Sequence, residues 1–183
     1  MKNQLLLSLC LLAIVVSSCK ETKPADETKP VIAAAPTEPQ PIEFAASKYA
    51  DILRNAQAAF SKGDIPTYMT MFADNAVYAW SNGDSLAGKA AISDYWIHRR
   101  DVHIDSVTYS NQIFLPMKFN HDEIFKATGI WVLNWYQVWA KYKASGKTMK
   151  QWVHLDAHFN ANDQIDRIIQ YIDKAKVNEA MKK

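Results

Sequence analysis

The amino-acid sequence predicts an α+β domain in which N-terminal helices pack on a mostly antiparallel sheet. Two observations carry this. Between Glu43 and Arg100 apolar residues recur mainly at helical spacing, whereas beyond Val107 they alternate with polar ones over segments long enough for strands. Helices gathered ahead of strands, with turn signals between the strands, give the α+β order.

The elements follow along the chain. From Glu43 to Ser61 the residues Phe44, Tyr49, Ile52, Leu53, Ala56 and Phe60 mark one face of a helix, and Gly63 follows as a stop. Asp64 is placed to cap a second short helix with Pro66 in its first turn, carrying Tyr68, Met71 and Phe72 inward. Asn75 to Trp80 reads as extended, Ser81-Asn82-Gly83-Asp84 as a turn, and a short strand runs through Leu86. Gly88 precedes a third helix, Lys89 to about Arg100, with Ile92, Tyr95 and Trp96 on one side. Three longer strands are expected at Val107 to Leu115, Gly129 to Tyr142 and Lys150 to Asn160. Ala144-Ser145-Gly146 joins the last two as a hairpin, and Asn162-Asp163-Gln164 turns into a final strand, Ile165 to Asp173.

The first forty residues are of another kind. Lys2 precedes an apolar run from Leu5 to Val16, then come Ser17, Ser18 and Cys19, the order of a secretory signal. The run is too short to cross a hydrocarbon core of ~30 Å. Val16-Ser17-Ser18-Cys19 resembles, position by position, the lipobox of bacterial lipoproteins. That resemblance implies cleavage before Cys19, its acylation, and a membrane partner reached through the lipid in the bacterial cell envelope, at the outer membrane rather than the inner. Lys20 to Pro41 holds five of the seven prolines and repeats Glu21-Thr22-Lys23-Pro24 as Glu27-Thr28-Lys29-Pro30. With few large apolar residues it reads as a tether, which at ~3.1 Å per residue reaches up to roughly 70 Å. The organisation expected is therefore a signal at 1–18, the lipidated cysteine and tether at 19–41, and a domain at 42–183 with a short polar tail.

Composition removes several function classes. Cys10 leaves with the signal and Cys19 takes the lipid, so no thiol remains for a disulfide, a nucleophile or a metal. The formal net charge is +2 with no basic run in the domain, so no nucleic-acid partner is expected. No motif calls for a cofactor. Six Trp, eight Tyr and seven Phe supply rings for a core, a pocket or an interface.

Three motifs in sequence carry a resemblance covering about residues 43 to 175. Gly63-Asp64-Ile65 with Met71-Phe72-Ala73-Asp74-Asn75-Ala76-Val77, then Leu86-Ala87-Gly88-Lys89, then Phe159 with Asn162-Asp163-Gln164-Ile165, resemble segments of the nuclear transport factor 2-like superfamily. This is the cone-shaped fold of SnoaL-like polyketide cyclases, scytalone dehydratases and ketosteroid isomerases, so the resemblance implies a curved sheet closed by helices. Gln164 stands where that family usually has glycine. The steroid-isomerase catalytic positions fall on Trp80, Ala56 and Leu155, none of which can serve as the base or the acids of that reaction.

Two sets of residues are candidates for function. If Val132, Asn134, Tyr136, Val138 and Ala140 face inward, then Asn134, Tyr136 and Gln170 offer hydrogen bonds among Tyr68, Trp80 and Trp96, the composition of a cavity for a small apolar or amphipathic ligand; a filled core is the alternative. His154, Asp156 and His158 alternate along one strand beside Trp152 and share its other face. They could bind a divalent metal, or form a His-Asp acid-base pair for an enzyme of the cyclase, dehydratase or hydrolase kind. Together with Trp131, Trp135 and Trp139 they more simply line an interface, of a homodimer or with another exported partner. His98 and His103 are expected at the rim.

Overall fold

The computed structural model describes residues 40–121 and 127–183. The expected signal segment, Cys19 and nearly all of the tether lie outside the described residues. Seven strands form one sheet in the order β1-β4-β5-β6-β7-β2-β3. These are β1 (Ile42–Phe44), β2 (Phe72–Trp80), β3 (Ser85–Ala87), β4 (Ile104–Phe119), β5 (Gly129–Tyr142), β6 (Thr148–Phe159) and β7 (Ile165–Tyr171). Every pairing is antiparallel except β2 with β7. Helices α1 (Lys48–Lys62), α2 (Ile65–Thr70), α3 (Lys89–His98) and α4 (Lys174–Met181) complete the domain. The α+β expectation holds, with helices packed on a curved, mostly antiparallel sheet.

Local chemistry sets the helix ends. Gly63 ends α1 at φ 80°, a left-handed cap that suits glycine, and its N–H reaches the carbonyls of Ala59 and Phe60. Asp64 caps α2 by accepting from Thr67 N at 3.0 Å, with Pro66 in the first turn as expected. Asp173 does the same for α4, accepting from Ala175 N at 2.9 Å. In the turn before β7 the left-handed position falls on Asp163, φ 58°, one residue before Gln164. Aspartate tolerates that conformation better than most residues, so the turn closes without the glycine.

Several boundaries differ from the sequence reading, β2 beginning at Phe72 and not Asn75 among them, and four of them show their structural cause. The helix expected from Glu43 starts at Lys48, because Ile42–Phe44 pairs with Met117–Phe119 as an edge strand and Ala45 N donates to Pro116 O at 3.0 Å. β4 runs past both expected ends because β5 offers a full-length partner from Gly129 to Tyr142. The third helix stops at His98 and passes into a π-helical turn, Arg99–His103, closed by Ile104 N on Arg99 O. The supposed polar tail is α4, held by burial of Val177 and Ala180 and by Ser145 Oγ on Ala180 O. Its polar residues are its solvent face.

Alternation along β5 and β6 decides which side of the sheet is inside. Val132, Asn134, Tyr136, Val138 and Ala140 are buried, as are Val153, Leu155, Ala157 and Phe159. These face the helices, while Trp131, Trp135, Trp139, Trp152, His154, Asp156 and His158 share the other face.

Candidate functional site

The inner face is not completely filled. A cavity of about 90 Å³ opens between the end of the sheet and α3, and a second of about 40 Å³ lies against α1 and α2. Phe60, Trp96, Tyr109, Tyr136 and Gln170 line both. The larger one is several times the ~10–15 Å³ that admits one water, which suits a compact ligand. Its polar wall is set by strand register. Parallel pairing of β2 with β7 puts Trp80 beside Gln170, and antiparallel pairing of β6 with β7 puts Gln170 beside Leu155. Trp80 Nε1 donates to Gln170 Oε1 at 3.0 Å, and Gln170 Nε2 donates to Tyr136 Oη at 3.1 Å. The buried amide thus has both ends satisfied, and it ties three strands together.

Aromatic rings form the rest of the wall. Trp80 packs on Tyr78 and Tyr95 with ring centroids 4.8 and 5.3 Å apart, and Trp96 meets Phe60 edge-on at 4.8 Å. Tyr68 lines only the smaller cavity, edge-on to Phe60 and Phe72. Burial pushes the phenols of Tyr68, Tyr78, Tyr109 and Tyr136 up, so they stay protonated. Neither cavity is lined by a carboxylate or an imidazole; the larger has Arg99 and Lys174 as its cations.

Not every expected residue takes part. Asn134 is fully buried but lines neither cavity: its Nδ2 donates to Ile113 O at 2.9 Å, beside the irregularity between Ser110 and Ile113, and its Oδ1 accepts from Gln57 Nε2 at 2.7 Å. It joins β4 to α1. Arg99 is the residue the sequence reading missed. The spacing Tyr95 to Arg99 is one helical turn, which puts Arg99 beside a wall residue, but a terminal arginine is ordinarily taken for solvent-facing.

On the outer face His154, Asp156 and His158 divide into two pairs. His154 Nε2 approaches Asp156 Oδ1 at 2.8 Å without hydrogen-bond alignment, and its ring lies between Trp135 and Tyr171. His158 Nδ1 instead meets Asp166 Oδ1 at 2.5 Å, with Trp131 against its ring. Asp166 was not foreseen because it belongs to the neighbouring strand. Among the described residues no three such groups converge as metal ligands. Trp139 and Trp152 are 43 and 53 % exposed. His98 and His103 meet edge-on at 5.5 Å beside the π turn.

No protein-family model matches the chain, and no curated sequence does. Solved structures match at low identity. They include a protein of unknown function from Burkholderia pseudomallei described as nuclear transport factor 2-like, with a TM-score of 0.61 and 13 % identity over 75 % of this chain and 100 % of that one. The chain has the nuclear transport factor 2-like fold. A candidate polyketide cyclase from Xanthomonas campestris pv. campestris matches at TM-score 0.59 and 15 % identity over 74 % of this chain and 98 % of its own. An LEH-like epoxide hydrolase of M. tuberculosis matches at TM-score 0.57 and 12 % identity over 74 and 90 %. At these identities the likeness is one of fold.

Burial holds the Asp156 carboxyl above its usual range, against the opposing pull of His154. A group whose folded pKa is raised adds stability at low pH, and that contribution is lost as pH rises through the folded value. Asp156→Asn should therefore raise Tm by a few degrees at pH 8, with the difference vanishing towards pH 4. Thermal unfolding followed by circular dichroism across that range checks it; a variant that melts below the wild type at pH 8, with the deficit shrinking towards acid, would show the carboxylate to be stabilised by its surroundings.

Proposed function

We propose that the chain is a membrane-anchored, exported lipoprotein whose SnoaL-like domain binds a small apolar or amphipathic ligand inside the cone. The observation that carries this reading is the larger cavity's wall, where rings surround a fixed Trp80–Gln170–Tyr136 hydrogen-bond chain and no carboxylate or imidazole takes part. Such a wall recognises; it holds no group that exchanges protons near neutral pH. Gln170→Leu or Trp96→Ala should weaken a ligand found by screening by about tenfold. The double change His154→Ala with His158→Ala should leave it bound. Titration calorimetry on the three variants separates the faces, since loss of binding with the histidines would put the site on the outer side.

A second reading has its own observation. The His158–Asp166 pair borders an outer groove of about 460 Å³ that also meets Asn75 and Arg167. An enzyme of the cyclase, dehydratase or hydrolase kind would use this face, with His154 and Asp156 beside it. The match to a candidate polyketide cyclase and to an epoxide hydrolase shows that the fold is found in proteins so described.

The anchor is proposed from Val16 to Cys19. Among the described residues no helix is long and apolar enough to cross a membrane, so the lipid would provide the attachment. Cells fed a clickable fatty acid should label the wild type and not Cys19→Ala; an unlabelled wild type would refute the anchor alone.

The Trp-rich outer face is proposed as a homodimer contact, supported by the exposure of Trp139, Trp152 and Tyr171. Trp135→Glu should shift the protein towards monomer because the new charge would be desolvated in the contact. Sedimentation at several concentrations reads this, and a wild type that is monomeric at all of them removes the dimer.

A further inference from the structure

Charge is distributed unevenly around the larger cavity. Two cations and no carboxylate line it. Lys174 is already matched: its Nζ bonds Asp84 Oδ2 at 2.6 Å and lies 4.9 Å from the Trp80 ring centroid. Arg99 is not. Among the described residues no carboxylate lies within ion-pair distance of it; Nη1 meets Met181 Sδ at 3.4 Å, and the guanidinium carbon is 6.0 Å from the Tyr95 ring centroid. Its Nε is buried with no protein partner. An arginine cannot escape this by losing its proton.

Two other donors close to Arg99 in sequence are also unmatched, of which Trp96 lines the same cavity. Trp96 Nε1 and Arg100 Nη1 are likewise buried without a protein partner. Both arginines belong to the π turn, which keeps the consecutive residues 99 and 100 half-buried, Arg100 packing on Phe60 and Gly63. Buried donors are normally paired, and exceptions of this kind call for a physical reason. His103, in the same turn, is pushed down by burial first and then by the charge of Arg99. The cavity's amide cannot compensate, since both ends of Gln170 are engaged.

A wall that offers an unpaired guanidinium, an indole N–H and protonated phenols, among aromatic rings, is complementary to an anion carried on an apolar body. We propose that the ligand of this cavity is a small aromatic or aliphatic carboxylate, its charged end received by Arg99 and its body lying against Trp80, Tyr95 and Trp96. This rests on the inner cavity being the ligand site, and adds the ligand's charge and orientation.

Benzoate, 3-phenylpropionate and 2-naphthoate, each beside its neutral amide, are titrated calorimetrically into the purified full-length protein. At least one acid should bind roughly tenfold or more tightly than its amide, the range of a charge-assisted hydrogen bond. Arg99→Met should bring acid and amide to near equality by weakening the acid alone, while Arg99→Lys should keep part of the preference. Amides that bind as well as the acids, or a preference that survives Arg99→Met, overturn the carboxylate assignment and leave the cavity reading standing. If neither acids nor amides bind, the cavity reading fails and the assignment fails with it. The comparison of acid with amide on the wild type decides the matter even if Arg99→Met does not fold.

Discussion

The inner face depends on one register, in which Asn134 stands opposite Leu155 along the antiparallel pair of β5 and β6. A slip of one residue would turn every side chain over. Were β5 to slip, Trp135 would face the helices and Tyr136 would leave the cavity wall; were β6 to slip, His154 and Asp156 would face the helices. Two features hold the register against this. At the hairpin, Gly146 takes a left-handed φ of 67° and donates to Tyr142 O at 2.9 Å, while Tyr142 N donates to Lys147 O at 3.0 Å. In the middle of β5, Asn134 bonds both Ile113 O and Gln57, so displacing it would strand buried polar groups on two other elements.

From that register the sequence is legible to a considerable depth. Alternation over residues 129–142 and 148–159 identifies the inner residues because a strand's side-chain period is two and one face must be apolar. The caps at Gly63 and Asp64 are legible because a left-handed turn and an N-cap each demand particular residue types. What escapes is whatever is decided by a distant partner. Ile42–Phe44 carries helical spacing, but by pairing with β4's outer edge it becomes a strand. Lys174–Met181 reads as polar because only Val177 and Ala180 of that helix are buried.

The candidate site shows the same division. Trp80, Trp96, Tyr136 and Gln170 could be picked out because each lies at a predictable place on a predictable element. Their linkage could not, since Trp80 and Gln170 become neighbours only through the single parallel pairing in the sheet. Asn134 was chosen for its inward position alone, and position does not reveal that both ends of its amide are occupied by β4 and α1. His158 was grouped with His154 and Asp156 by their shared face, yet its nearest carboxylate, Asp166, comes from β7 at close range. Arg99 lies one helical turn after Tyr95 and its N–H still bonds the Tyr95 carbonyl, so its position was within reach of the helical period, but a charged residue at a helix end is ordinarily assigned to solvent.

These placements bear on what kind of chemistry the inner wall can perform. General acid or base catalysis needs a group that changes protonation near the working pH. The buried phenols are pushed away from that range, the Gln170 amide does not titrate, and a guanidinium remains charged throughout. Neither inner cavity is lined by a carboxylate or an imidazole, whereas on the outer face the His158–Asp166 pair borders an open groove. The inner wall has directional donors grouped towards α3 and rings around them. Under the proposed reading, that arrangement orients a ligand by one polar end and holds the remainder by contact, with the His158–Asp166 pair on the opposite face of the sheet.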